Sequence, residues 1–230
     1  MIKPYYSEGG ITIYHGDCRE ILPSLEPAGL VLMDPPYGIG YASNHGASWS
    51  GSEIANDSDT ALRDWIVSSV QAPMIIFGTW KCSRPANTRQ VLIWDKGPAF
   101  GMGDLSFPWK NSFEEIYILG EGFSGTRDPG VIRGHVMVSC ESKGRQHPNQ
   151  KPVSLIRYLL SKAPAGVAVD PCMGSGTTLR AANDTGRRAI GIEIDERYCE
   201  IAAERMNQGV LDLDPAGFDE PFPLPEQALL

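Results

Sequence analysis

Asp34-Pro35-Pro36-Tyr37 stands directly after the apolar run Leu30–Met33. Those residue types in that order have a specific chemical use. Two successive prolines stop a strand and stiffen the turn after it, because neither ring has an N–H for the ladder. Asp34 offers a carboxylate, and Pro35 a carbonyl with no accompanying N–H. Two acceptors fixed side by side fit an NH2 group. Tyr37 adds an aromatic face for a planar ring. The exocyclic amine of a nucleobase is a weak nucleophile, since its lone pair is delocalised into the ring. Acceptors that hold its hydrogens draw the nitrogen toward tetrahedral geometry and stabilise the positive charge that develops as it attacks. A rigid proline turn after a core strand is the plainer alternative, and Asp-Pro alone would favour it. The full tetrad is the more specific signal.

A second constellation begins where Val167–Val169 runs into Asp170-Pro171-Cys172-Met173-Gly174-Ser175-Gly176-Thr177-Thr178. Glycines between a strand and a helix let the backbone come close to a ligand. The next apolar run ends in Gly191-Ile192-Glu193, and Glu193 lies 19 residues after Gly174. An acidic residue at that spacing holds ribose hydroxyls. A nucleoside-containing cofactor is therefore expected. A Walker loop is disfavoured because Thr177, not Lys, follows Gly176, and a nicotinamide site is weakened because Leu179 takes the place of the third glycine. Cys172 after Pro171 could suggest a covalent nucleophile, but it sits inside the glycine loop with nothing nearby to activate it. It reads as a packing residue.

The elements that must position these groups are legible as seven short apolar runs: 11–14, 30–33, 74–77, 91–94, 115–119, 167–169 and 189–192. Most are unbroken rather than alternating, as in strands buried on both faces. Helical patterns fall at 18–25, with Asp17 as N-cap, and at 60–70, 152–162, 177–184 and 195–206. Alternating strands and helices imply a mostly parallel sheet covered on both sides. Residues 42–59 and 97–106 read as Gly-rich and polar connectors.

The net charge is −8. Residues 81–151 nonetheless carry 10 basic against 7 acidic side chains, and residues 152–190 carry 5 against 2. Local positive surface, not net charge, is what phosphate contact requires. The five cysteines are scattered with no C-x-x-C pair, which argues against a disulfide framework and a structural zinc site, so no metal is expected. There is no apolar run long enough to span a bilayer and no signal-peptide core, so a cytoplasmic protein with no membrane partner is expected.

Taken together, the tetrad and the glycine loop resemble the amino-methyltransferases of DNA, in the permuted beta class where the tetrad precedes the cofactor loop. His147-Pro148-Asn149-Gln150-Lys151-Pro152 is similar to the family segment before the cofactor strand, and Ile93-Trp94-Asp95-Lys96 to its aromatic-plus-lysine strand. The resemblance covers roughly residues 11–207. It implies an α/β, Rossmann-like methyltransferase fold with a seven-stranded sheet, six strands parallel and one antiparallel, and S-adenosyl-L-methionine as cofactor. It implies residues 1–208 as the methyltransferase domain, with 97–145 as the candidate DNA-recognition insert and 209–230 as an acidic Pro-rich tail.

Residue by residue, the resemblance implies that Asp34, Pro35, Pro36 and Tyr37 hold and polarise the target amine. Asp170, Pro171, Gly174, Ser175, Gly176 and Thr177 shape the cofactor pocket, Glu193 binds ribose hydroxyls, and Asp17 with Cys18 lies near the cofactor adenine. Lys151 closes the cofactor site, and Trp94 joins Tyr37 in stacking on an extruded base. Asp at the head of the tetrad favours adenine N6 in duplex DNA. Cytosine N4 is the alternative, and a non-catalytic DNA-binding module of the same fold a second. The recognition insert is small, so specificity is expected to be short or relaxed, or to come from a second subunit in a homodimer. The setting implied is a bacterial or phage-infected cell, at the nucleoid.

Overall fold

The computed structural model describes residues 2–37, 59–97, 106–135 and 150–207. The connector at 42–58, residues 98–105, His147 to Asn149 and the 209–230 tail lie outside the described residues. Among the described residues nine strands form one sheet: β1 (Tyr6–Glu8), β2 (Ile11–His15), β3 (Leu30–Met33), β4 (Met74–Gly78), β5 (Thr88–Asp95), β6 (Phe113–Leu119), β7 (Val131–Ile132), β8 (Ala168–Asp170) and β9 (Ala189–Glu193). Their order across the sheet is β1-β2-β9-β8-β3-β4-β6-β5-β7.

All seven apolar runs are strands. The expected seven-stranded sheet is corrected to nine by two short edge strands that no apolar run marks. β1 pairs antiparallel with β2, and the two-residue β7 pairs parallel with β5. Among the seven, β2, β9, β8, β3 and β4 are parallel neighbours. β6 runs antiparallel between β4 and β5, so six strands point one way and one the other.

Period-two alternation explains the unbroken apolar runs. Leu30, Leu32, Ile75 and Phe77 face a core built with Leu155, Ile156, Leu159, Leu179 and Ala202, which come from the helices Val153–Lys162, Thr177–Asp184 and Glu196–Asn207. Val31, Met33, Met74 and Ile76 face the other way, toward Cys18, Ile21 and Ile66 from the helices Cys18–Ile21 and Ala61–Ser69. The first expected helix is shorter than its pattern: after Ile21 the chain tightens into a 3-10 turn at Leu22–Ser24, with Pro23 inside it.

Two crossovers set the site. From β3 the chain moves through a helix to β4 on one side, and from β8 through a helix to β9 on the other. β3 and β8 are hydrogen-bonded neighbours. The crossover direction therefore reverses between them, which opens a crevice beyond their carboxyl ends. Asp34 follows β3 and Asp170 ends β8, so both constellations arrive at that crevice.

The expected recognition insert at 97–145 is not one module. Among its described residues, β6 is a central strand of the sheet and β7 an edge strand whose Ile132 lies in the core, so those parts belong to the sheet.

Candidate active site

On the β3 side, Asp34 is already engaged at both oxygens. Tyr37 donates its hydroxyl to Oδ1 at 2.7 Å, and Lys151 donates from Nζ to Oδ2 at 2.5 Å. Lys151 is 6% exposed and also pairs with Glu114 Oε2 at 3.2 Å. Lys96 forms a short ion pair with the other oxygen of Glu114. The Lys151 ammonium lies 5.0 Å from the centre of the Phe77 ring and 5.8 Å from that of Tyr37. Two ammonium groups and two carboxylates thus alternate, with a phenol bridging the two acids.

The electrostatics follow from that alternation. Burial works against charge on Lys151, but Asp34 and Glu114 outweigh it and raise its pKa. Burial likewise opposes ionisation of Glu114, but Lys151 and Lys96 outweigh it and lower its pKa. Burial, followed by the Asp34 charge, pushes the Tyr37 phenol well above its ordinary value, so it remains a donor.

On the β8 side, the carboxylates have no ammonium partner of this kind among the described residues. Asp170 is 4% exposed, and burial pushes its carboxyl up to about 7, although Thr178 and the backbone N–H of Cys172 donate to it. Glu193 accepts from the backbone N–H of Gly174 at 2.9 Å and from that of Asp195 at 2.9 Å, and burial raises its pKa. Gly174 has φ +50°, and a Cβ there would meet no atom within 4 Å, so the loop faces open space. Gly176, at φ +77°, is packed instead: a Cβ would approach that of Ala202 to 2.8 Å.

Several expected positions are placed differently. Lys151, expected at the cofactor pocket, puts its ammonium on the tetrad. Its place in the chain just before the helix Val153–Lys162 suggested the cofactor side, but Asp34 and Glu114 supply the charges it needs. Trp94, expected as a stacking platform, is 3% exposed, packs in the core and donates its indole N–H to the His135 carbonyl at 3.0 Å. A ring so enclosed offers no face to a base. Ser175 and Thr177 are buried at 4% and 8% exposure, and both the Ser175 carbonyl and its hydroxyl accept from Arg205. Pro171 is also buried.

Asp17 caps its helix by accepting from Arg19 N at 2.8 Å, and the Arg19 guanidinium holds its carboxyl below the usual range. The cap stands beside the end of β9, because Gly16 N donates to the Glu193 carbonyl at 2.9 Å. Its neighbour Cys18 and burial together lift the Cys172 thiol well above its ordinary pKa. A thiol so raised is protonated and no nucleophile.

Glu114 was not legible as a site residue. Only its register opposite Trp94 in the β5–β6 pair, two positions from Lys96, brings it in. Among the described residues no group of three or more His, Cys, Asp or Glu could hold a metal ion, and no helix is long and apolar enough to cross a membrane.

The crossover of the sheet thus reverses at a crevice, with the carboxylates Asp170 and Glu193 around the Gly174 loop on one lip and the Asp34–Tyr37 turn on the other. The sequence model of the N6/N4 DNA methylase family matches residues 87–204, and the chain belongs to that family. It is 24% identical to the type II methyltransferase M2.LlaDCHI of Lactococcus lactis, over 91% of this chain and 94% of that protein. In fold it is similar to M1.HpyAVI, whose crystal structure is a complex with SAM, at TM-score 0.62 and 20% identity, covering 86% of this chain and 99% of that one. It is also similar to the cytosine-N4-specific PvuII DNA methyltransferase, at TM-score 0.57 and 16% identity, covering 90% and 96%.

Proposed function

We propose that this protein transfers a methyl group from S-adenosylmethionine to the N6 amine of adenine in duplex DNA. The observation that carries the reading is the position of Asp34, fixed by Tyr37 and Lys151 at the crevice that also receives the Gly174 loop.

The cofactor side suits a cationic nucleoside. Asp170, Glu193 and Asp17 surround a glycine loop whose Gly174 faces open space. Glu193 and Asp170, which unlike Asp17 have no basic partner among the described residues, disfavour a phosphate and favour a sulfonium or an ammonium. Glu193 and Asp17 would hold ribose hydroxyls and the adenine end, with Asp170 and Gly174 at the methionine end. When bound, the cofactor supplies an electrophilic methyl group.

The chain's own residues do the rest. A carboxylate has about four acceptor positions. Tyr37 and Lys151 use two of those on Asp34 and leave capacity for the hydrogens of a substrate amine. Their pairing also fixes the carboxylate, so no reorganisation is needed as charge develops on the nitrogen. The Tyr37 ring takes the face of the extruded base, which must leave the stack at a cost of a few kcal/mol. The methylated nitrogen is acidic and sheds its proton without a strong base. The tetrad's place before the glycine loop supports the permuted class, and the segments flanking β6 would read sequence.

Adenine is preferred because Asp heads the tetrad. Likeness in fold to a cytosine-N4-specific enzyme keeps the second base in the test. Mixed-sequence DNA is incubated with the protein and labelled cofactor, digested to nucleosides and analysed by mass. N6-methyldeoxyadenosine is expected. N4-methyldeoxycytidine would reassign the base, and no labelled nucleoside would overturn the reading.

A further inference from the structure

Resting on that reading, we propose that Trp80 inserts into the duplex where the target nucleotide leaves, stacking on the base pairs that flank the gap. Among the described residues the three most exposed large apolar side chains are aromatic: Trp80 at 58%, Phe107 at 59% and Trp109 at 75%. All three stand at the end of the sheet that carries Asp34. Trp80 comes two residues after β4 ends at Gly78, and Phe107 and Trp109 lead into β6, which begins at Phe113. Gly78 and Glu115 are register partners, so both segments leave the sheet on adjacent strands. Single exposed aromatics are ordinary, but three along one rim of a site mark a contact surface.

Trp80 is distinguished from the other two by how firmly its backbone is held. It occupies a tight turn in which Cys82 N donates to the Thr79 carbonyl at 3.3 Å and Lys81 N to the Thr79 hydroxyl at 3.3 Å. Tyr117 donates to the same Thr79 carbonyl at 3.2 Å, and the buried Arg63 donates to the Ser83 carbonyl at 2.7 Å. Arg84 is anchored on the buried Glu115 at 2.8 Å. One tie runs directly to the tetrad: the Cys82 thiol donates to the Tyr37 carbonyl at 3.0 Å. The turn that displays Trp80 is therefore locked to the turn that grips the amine, while the indole stays open to solvent.

A rigid aromatic loses little conformational entropy on insertion, and its π-face stacks on any base. Lys81 beside it adds positive charge of the kind that a phosphate backbone requires. With Trp94 enclosed in the core, Trp80 is, among the described residues, the tryptophan at this end of the sheet that a base can reach and that stands on a braced turn.

The test uses a site mapped by sequencing DNA that the wild type has methylated. Two duplexes carry it, one fully paired and one with an abasic position opposite the target base. Trp80→Ala is expected to lose about 10- to 10²-fold in single-turnover rate on the paired duplex, and to come within about threefold of wild type on the abasic one, where extrusion is easier. Trp80→Phe is expected to keep most of the paired-duplex rate. An equal loss on both duplexes, or no loss on either, overturns the role of Trp80 while leaving the methyltransferase reading intact. A wild-type protein that methylates no DNA overturns that reading, and this proposal with it.

Discussion

The two lips of the crevice hold their carboxylates in opposite electrical circumstances. At the β3 lip, Asp34 and Glu114 are compensated by Lys151 and Lys96 before any substrate arrives. At the β8 lip, Asp170 and Glu193 lean on backbone N–H groups and the Thr178 hydroxyl, and burial raises both. The difference fits the two jobs proposed. An acceptor that must hold an amine through a change of charge gains from being fixed in advance. A pocket for a cation gains from carboxylates that await one.

The sharpest break in that comparison comes from removing the compensated acceptor. Asp34→Ala is expected to lower turnover by about 10²- to 10³-fold, the scale for losing a group that supports the transition state. Cofactor affinity, read by calorimetry, should be unchanged, because Asp34 belongs to the other lip. Turnover close to wild type would remove Asp34 from the mechanism.

Next in size is the loss of compensation itself. Lys151→Met leaves Asp34 and Glu114 near one another without the ammonium between them. Breaking a buried pair from one side costs roughly 3 kcal/mol, read as a shift in denaturant midpoint at constant slope. Adding Glu114→Gln should recover part of that loss, a coupling that separates charge pairing from lost packing. Additive losses would mean that Lys151 is held by its alkyl chain. The sign of the pH dependence follows from the same pairs. Glu114, lowered, contributes stability that is present above the ordinary Glu pKa and lost as pH falls through its folded value. Lys151, raised, contributes stability that is present at neutral pH and lost only in the alkaline range above its ordinary value.

Asp170 runs the other way. Its carboxyl keeps a proton up to about pH 7 when folded, against 3.8 for the ordinary group. The folded state therefore binds more protons between those values, and the cofactor-free protein loses stability as pH rises through that window. The shift corresponds to about 4 kcal/mol at most. Asp170→Asn keeps an acceptor for Cys172 N–H and removes the charge. It should raise the midpoint at pH 8 by the equivalent of roughly 2 kcal/mol and change little near pH 4. A gain of equal size at both pH values would show that charge is not the cause.

How far the sequence disclosed this arrangement depends on the range of the signal. Strands and helices were legible because burial on both faces writes continuous apolar runs, as in Leu30–Met33, and the helices behind them leave a 3.6-residue period. The tetrad and the glycine loop were legible because each is a local run with its own backbone chemistry. What failed was long range. Glu114 enters the site only through β6, an antiparallel strand inserted between β4 and β5, and no local pattern announces that neighbour. Lys151 and Trp94 carried the right chemistry for the roles expected of them. Direction and burial decided otherwise, since Lys151 meets Asp34 117 positions away and the Trp94 indole turns inward to His135. β1 and β7 were missed because edge strands of two or three residues need no apolar run.

The smallest expected effect probes the awaiting lip most finely. Glu193 holds Gly174 N–H with Oε2 and Asp195 N–H with Oε1. In Glu193→Gln one of those acceptors becomes a donor facing a donor, and the negative charge is lost. Cofactor affinity should fall about tenfold, equivalent to about 1.4 kcal/mol, as measured by calorimetry. The same change should act on Asp170, because the Glu193 charge is among the causes that raise it. The Asp170 midpoint, followed by NMR of the side-chain carboxyl, should therefore move down toward the ordinary range. A weaker cofactor site with an unmoved Asp170 would mean that Glu193 acts only through the shape of the Gly174 loop. A moved midpoint with unchanged affinity would mean that the two acids share a field but not a ligand.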